Sequence, residues 1–185
     1  AAARGATESK TATMPKALAG GVWLEVDVSE ARSLMAADKN GLSDPWAGVE
    51  LAPDTGGNAL KGASYKTKPQ KRTLNPKFGE SFTLGAAVAD DAKLAAATVR
   101  VRVLDYDGPM SAGAPLGEVA MPLSRLLASA GAHGWFPLAA CDKATEAAAG
   151  ALGELRLSVR VGGAAALQAA LDAAGEKQAE QAAKA

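Results

Sequence analysis

Apolar and polar residues alternate along this chain in a series of short segments. The first begins at residue 21, where Val22, Leu24, Val26 and Val28 alternate with polar or aromatic neighbours. A period of two points one set of side chains into a core and the other towards solvent, which is typical of a half-buried β-strand. Seven further strand candidates follow at short intervals, at residues 45–53, 63–71, 78–86, 98–107, 116–124, 134–139 and 153–161.

Turn residues separate these segments, so the pattern predicts eight short strands joined by loops. This arrangement favours an all-β fold, and we expect an eight-stranded antiparallel β-sandwich. Trp135 and Phe136 in "GWFPL" are expected in its core. A helical pattern occurs between strands only at residues 87–97, with a further short helical turn predicted within residues 122–131.

The ends of the chain differ from the middle, which predicts one domain over residues 21–161. Residues 1–20 lack hydrophobic periodicity and indicate a flexible segment, either a plain disordered tail or a remnant near an organellar cleavage site such as that of a plastid. Residues 162–185 are rich in alanine, with Leu167 and Leu171 four positions apart. This segment favours a frayed helix that docks on a partner or on its own domain.

The composition and the motifs of the chain exclude several classes of function. The 20 basic and 20 acidic residues cancel, so no overall charge attracts nucleic acid. One cysteine and one histidine exclude a Cys/His zinc site of the usual spacing. No apolar run approaches the ~20 residues of a membrane-spanning helix. Without a nucleophile and base pair or a phosphate loop, no enzyme is predicted; we expect a cytoplasmic or peripheral membrane protein.

Four aspartates lie in two predicted loops. Asp38 and Asp44 flank an Asn-Gly turn, so the chain can fold back and bring both carboxylates to one point. Asp105 and Asp107 share one face by the period of two. Taken singly, each has an ordinary role in closing a turn or capping an amide. Together, with no histidine or thiol beside them, they favour a hard cation such as calcium, which accepts flexible loop ligands.

Three stretches in order resemble a known family: "GLSDPW" at residues 41–46, "RTLNPKF" at 72–78, and "LDYD" at 104–107 followed by "LGE" at 116–118. The segment from about Gly21 to Val161 is similar to a C2 domain, the calcium- and phospholipid-binding sandwich of signalling and membrane-trafficking proteins. A strand after "WFPL" implies the type II arrangement of that fold, in which the last strand takes the place that the first one fills in type I.

The resemblance implies that Asp38, Asp44, Asp105 and Asp107 bind Ca²⁺. Calcium-binding members usually carry a fifth acidic residue three positions before the glycine of the "LG" pair. Ala114 stands there in this chain, and the rest of that loop contains no acidic residue. Because calcium affinity follows the charge of the ligands, we expect a weakened site.

The densest basic stretch, "KGASYKTKPQKR" at residues 61–72, is a candidate lipid surface. The resemblance implies that Lys66 and Lys68, on one strand face, meet anionic headgroups, with Lys71 and Arg72 close by. Each basic residue near an anionic surface contributes about 1 kcal/mol, so binding through these alone would be weak. An ordinary solvated strand face is the alternative interpretation.

Three other residues bear on lipid binding. Trp46 could stack on a headgroup or pack at the rim of the fold, and Met110 is placed to dip into a bilayer from the tip of its loop. Glu50 stands where lipid-binding members often have lysine, and it would oppose an anionic headgroup.

Two functions therefore stay open. The first is a non-enzymatic C2 module that docks on anionic phospholipid membranes, with calcium dependence through the weakened site. The second is a calcium-independent adaptor or structural subunit that docks on a protein through the sandwich or the C-terminal helix. The absent fifth ligand, Glu50 and the Ala-rich ends favour the second function.

Overall fold

The computed structural model describes residues 23–53, 64–85, 96–147 and 152–162, which form two four-stranded antiparallel sheets. The strands are β1 (Trp23–Arg32), β2 (Pro45–Pro53), β3 (Ser64–Lys66), β4 (Lys77–Gly85), β5 (Ala97–Asp105), β6 (Pro115–Pro122), β7 (Gly131–Pro137) and β8 (Glu154–Gly162). Two short helices are described, α1 (Leu123–Ala128) and α2 (Lys143–Ala147). The eight predicted strands and the β-sandwich are confirmed.

The strand order brings the ends of the described chain together. One sheet has the order β4-β1-β8-β7 and the other the order β3-β2-β5-β6. β8 lies between β1 and β7, next to the first strand of the described chain. Residues 1–22 lie outside the described residues, so the assignment to type II stays a prediction.

The core lies between the two sheets and follows the predicted alternation. Val99, Val101 and Val103 of β5 are at most 1% exposed, while the arginines between them lie on the outer face. Val101 pairs with Val49 of β2 on one side and Val119 of β6 on the other. Each such side chain contributes about 1.5–3 kcal/mol on burial, so the alternation fixes the register of the whole sheet.

Several other predictions have different outcomes. α1 confirms the helical turn expected within residues 122–131, whereas α2 was not expected. The predicted helix at residues 87–97 falls almost entirely outside the described residues, as do both terminal segments. Trp135 is not a core residue, because neighbours in a strand point to opposite faces. Its ring lies 4.1 Å from the Arg32 guanidinium, while Phe136 packs against the core.

Three loops meet at one end of the sandwich. They are residues 33–44 between β1 and β2, residues 67–76 between β3 and β4, and residues 106–114 between β5 and β6. Backbone hydrogen bonds join them: the Tyr106 amide donates to the Asp44 carbonyl at 3.0 Å, and the Thr73 amide donates to the Ser43 carbonyl at 2.8 Å. The fold therefore brings the predicted aspartates and basic residues to the same end.

Candidate functional site

The first loop is held in shape by its own polar groups. The Asp38 and Leu42 backbones close a tight turn, with Gly41 at a φ of 78° that glycine adopts without strain. Ser43 is fully buried; its hydroxyl donates to the Met35 carbonyl at 3.1 Å and accepts the Ala37 amide at 3.0 Å. The turn fixes the place at which the Asp38 carboxylate leaves the backbone.

Asp105 ends β5 and is only 2% exposed. Its Oδ1 accepts the Asp44 backbone amide in a short hydrogen bond of 2.5 Å. A buried carboxylate loses the hydration that stabilises its charge, so it needs hydrogen-bond donors within the protein. One amide offsets only part of that loss. Asp105 therefore ties the end of β5 to the first loop while its other oxygen remains for a further partner.

Three aspartates converge at this point. Asp38, Asp105 and Asp107 each place one carboxylate oxygen within 4.8 Å of the other two. The pKa of Asp105 is raised by burial first, and also by the negative charges of Asp38, Asp107 and Asp44. The hydrogen bond from the Asp44 amide acts in the opposite direction. A cation held through oxygen suits this donor set, because it would offset both the burial and the repulsion.

Asp44 lies beside this cluster rather than within it. Its Oδ1 accepts the Arg72 amide at 2.7 Å, so one carboxylate oxygen is engaged by the β3–β4 loop. Its charge still contributes to the raised pKa of Asp105. The fold thus brings three of the four predicted aspartates together. The fourth, Asp44, connects them to the loop of residues 67–76, which carries Lys71 and Arg72.

The third loop returns to Asp105 without a carboxylate. The Ala114 carbonyl accepts the Asp105 amide at 2.8 Å, so the position of the expected fifth acid lies next to the cluster. Gly113 has a φ of 82°, and a Cβ there would overlap the Asp105 carbonyl. The loop can close this tightly only because residue 113 is glycine. Beyond it, Met110 is 98% exposed at the loop tip and Tyr106 is 38% exposed.

The predicted basic strand face is shorter than expected. β3 ends at Lys66, so Lys68 lies in the following segment and not on a common strand face with Lys66. The strand stops because the Thr67 hydroxyl accepts the Ala47 amide at 2.9 Å, replacing a backbone carbonyl, and because Pro69 follows. Both lysines are nevertheless exposed, and the Lys66 Nζ lies 6.0 Å from the centre of the half-buried Trp46 ring.

Lys71 and Arg72 are exposed at the same end of the sandwich as the aspartates. Arg72 has a φ of 54°, a left-handed conformation that is uncommon for arginine. Its amide hydrogen bond to Asp44 holds this turn against the first loop. The Arg72 backbone is therefore held beside Asp44, with exposed Lys71 next to it in the chain.

The outer face of the β3-β2-β5-β6 sheet carries a closed charge network that the sequence analysis did not predict. Glu50 Oε1 lies 3.2 Å from Arg100 and 3.7 Å from Arg102, and Glu118 Oε2 lies 3.7 Å from Arg100 and 3.1 Å from Arg102. The expectation that Glu50 opposes an anionic ligand is incomplete, because two arginines neutralise it. The sequence offered the outward positions of Glu50 and Arg100 in two predicted strands, but it did not show that these strands pair.

Comparison with known proteins identifies the family. The family model described as C2 domain matches residues 23–138, more than half of the chain. This chain belongs to the C2 domain family. The predicted resemblance is thereby confirmed.

Named relatives share this C2 domain over part of their length. The chain is 32% identical to synaptotagmin-7 of Mus musculus over 136 residues, which is 74% of this chain and 30% of that protein. It is 38% identical to the eye isozyme of protein kinase C of Drosophila melanogaster over 84 residues, 45% of this chain and 11% of that protein. The chain thus spans less than a third of the length of either relative.

Solved structures show the same fold. The C2A domain of plant extended synaptotagmin 1 superposes with a TM-score of 0.54 at 19% identity, covering 76% of this chain and 93% of that one. The calcium-bound C2A and C2B domains of extended synaptotagmin 2 also give a TM-score of 0.54, at 21% identity, covering 77% of this chain and 45% of that one. Within the described part of this C2 domain, no helix is long and apolar enough to span a bilayer.

Proposed function

We propose that this C2 domain is a binding module that docks on anionic phospholipid membranes in response to calcium. The observation that carries the proposal is the convergence of the Asp38, Asp105 and Asp107 carboxylates within 4.8 Å, beside a loop whose tip is fully exposed. Extended synaptotagmin 2, which has the same fold, has been solved with calcium bound.

Asp38, Asp105 and Asp107 would hold the ion, with Asp44 beside them. When bound, Ca²⁺ supplies positive charge and open coordination positions for phosphate oxygens. Without it, the clustered carboxylates repel an anionic surface. Ala114 supplies no carboxylate to the cluster, so we place the affinity of the site towards the weak end of protein calcium sites, which span about 10⁻⁹ to 10⁻³ M.

The neighbouring side chains determine how the domain would sit on a membrane. Met110 is 98% exposed at the tip of the third loop, so it would enter the headgroup region. Lys71 and Arg72 lie in the loop that contacts Asp44 and would contribute about 1 kcal/mol each near an anionic surface. Lys66 and Trp46 extend this contact along the outer face of the β3-β2-β5-β6 sheet. Lys68 would add further basic charge between the two regions.

Cosedimentation with phosphatidylserine-containing vesicles, with calcium or with chelator, tests the proposal. Met110→Asp should lose most of the calcium-dependent sedimentation while keeping its calcium binding by calorimetry, because the substituted side chain touches lipid and no ligand. Ala128→Asp, an equal change at an exposed residue of α1, should sediment like the unaltered protein. Equal sedimentation in chelator and calcium, with no heat of calcium binding, would refute the calcium switch.

The adaptor function remains a second candidate because of two observations. The outer face of the β3-β2-β5-β6 sheet is electrically balanced by Glu50 and Glu118, and the third loop lacks the fifth acid. An adaptor should ignore both calcium and vesicles. It should also lose its protein partner when residues 163–185 are removed, whereas a lipid module lacking those residues should still sediment.

A further inference from the structure

A groove lies along the edge of the sandwich opposite β3 and β4. It has a volume of ≈ 490 Å³ and runs between edge strand β6, edge strand β7 and helix α1. This volume falls within the range of about 300–1,000 Å³ that is typical of ligand pockets. Its apolar lining comes from Val119, Met121, Leu126, Ala132, Phe136 and Pro137. The groove shares no residue with the aspartate cluster.

The lining residues place the two ends of the groove. At one end, Glu118 and Ala139 exchange two backbone hydrogen bonds, of 2.9 and 2.8 Å. Ala120 lies two residues further along β6, so the period of the ladder points its backbone amide and carbonyl into the groove as well. The other end lies at Ser129 and Ala132, where α1 leads into β7.

The described chain ends close to this second end of the groove. Arg160 of β8 pairs with Gly131 of β7, and the strands are antiparallel. β8 continues two residues beyond this last pair and ends at Gly162. With strands about 4.8 Å apart and about 3.3 Å per residue, Gly162 lies within roughly 10 Å of the groove. The residues that follow can enter it without a long connection.

The sequence after Gly162 matches the groove in length and chemistry. Residues 164–174 are alanine and leucine except for Gln168 and Asp172. As a helix they would extend about 16 Å, and the β7 wall from Ala132 to Pro137 is about 17 Å long. Leu167 and Leu171 would share one face of that helix.

The charge at the groove rim is complementary to that of residues 164–174. Arg125 is exposed on α1 at the rim. It forms no ion pair with any carboxylate that the structure describes. Asp172 is the only charged residue in the matching segment. A helix with its leucines on the groove floor would carry Asp172 on its flank, where an arginine can reach it.

We propose that residues 164–174 dock in this groove as an amphipathic helix of the same chain, with Leu167 and Leu171 against Met121 and Phe136. The docked helix would cover the β6 and β7 edges, which are otherwise templates for pairing with another chain. In this proposal the groove is filled by a segment of the same chain, and its docking requires neither calcium nor lipid.

Amide exchange followed by NMR on the full chain tests this assignment. Leu167→Glu with Leu171→Glu should accelerate exchange at Ala120 by about tenfold, because the covering helix leaves the groove. Ala165→Glu with Ala169→Glu adds the same charge on the opposite helix face and should leave exchange unchanged. Unaltered exchange in the leucine variant would overturn the proposal, as would equal acceleration in both variants.

A charge exchange provides the second test. Arg125→Glu should weaken docking and speed exchange at Ala120, and Asp172→Arg in the same chain should restore the slow exchange. Failure of the second substitution to rescue the first would exclude the assigned orientation. Light scattering shows whether the docked segment comes from the same chain or from a second copy, because it gives the oligomeric state. A monomer that retains slow exchange supports docking within one chain. Protection that appears only in a dimer would assign the groove to a second copy instead.

Discussion

Two charged regions of this C2 domain are built on opposite principles. At the loop end, three aspartates lie within 4.8 Å of one another, and one of them is almost fully buried. On the outer face of the β3-β2-β5-β6 sheet, two glutamates and two arginines neutralise each other within the protein. The first region has an electrostatic cost that a cation would remove, and the second is already balanced.

This difference indicates where a ligand can gain binding energy. An anion approaching Arg100 and Arg102 must compete with Glu50 and Glu118, whereas Asp38, Asp105 and Asp107 form no ion pair in the described part of the chain with which a cation would compete. In addition, Arg100 is 15% exposed, so a ligand reaches little of its charge. The proposed calcium binding is therefore expected at the loop end, and we expect the network of Glu50, Glu118, Arg100 and Arg102 to have a mainly structural role.

Asp105→Asn should have the largest effect among the variants that test the contrast between the aspartate cluster and the balanced sheet face. It should reduce calcium affinity by about 100-fold, since it removes one charge from a site that already lacks a ligand. In chelator the same variant should be more stable, with a melting temperature higher by a few degrees, or about 1 kcal/mol. The asparagine Oδ1 can still accept the Asp44 amide, so the loop is kept. Calorimetric titration and thermal unfolding measure the two effects, and a less stable chelated variant would contradict the repulsion argument.

Ala114→Asp is the converse change. Its backbone already contacts Asp105, so an added carboxylate should raise calcium affinity by about tenfold and lower the stability of the chelated protein. Ala112→Asp, at an exposed residue of the same loop, controls for charge alone. Equal gains in both variants would show that general attraction, rather than a ligand at residue 114, sets the affinity.

The sequence was sufficient for the sheets and for most of the aspartate cluster. Alternating valines specify which face of β5 is buried, and motif order places Asp38 near Asp105. It could not show that the Arg72 amide engages Asp44, because that bond depends on a left-handed turn in a separate loop. Nor did it show that β3 ends before Thr67. The end of a strand depends on which group accepts the hydrogen bond of each amide, and here the Thr67 hydroxyl accepts that of Ala47. The charge network required cross-strand register, which a single strand does not reveal.

Removing the balance on the sheet face tests the other half of the comparison. Glu50→Gln with Glu118→Gln leaves both arginines without a described carboxylate partner. Arg102 is 43% exposed, so calcium-independent binding to anionic vesicles should rise about fivefold, the equivalent of about 1 kcal/mol. Glu30→Gln with Glu154→Gln makes the same charge change on the opposite sheet. If the two double variants bind equally, net charge alone explains the gain.

The pH dependence of stability in chelator gives the smallest effect. Burial and neighbouring charges raise the pKa of Asp105 above its ordinary value. Between those two values the folded protein retains a proton that the unfolded chain has released, so this group makes stability fall as pH rises. The measurement is the difference between the unaltered protein and Asp105→Asn, because the contributions of all other titrating groups are common to both and cancel. The stabilising effect of the substitution should be small at low pH, grow as pH rises through the raised pKa, and then level off. A difference that stays constant from acid to neutral pH would mean that Asp105 is not strained by its charge, and the contrast with the balanced sheet face would then lose its electrostatic basis.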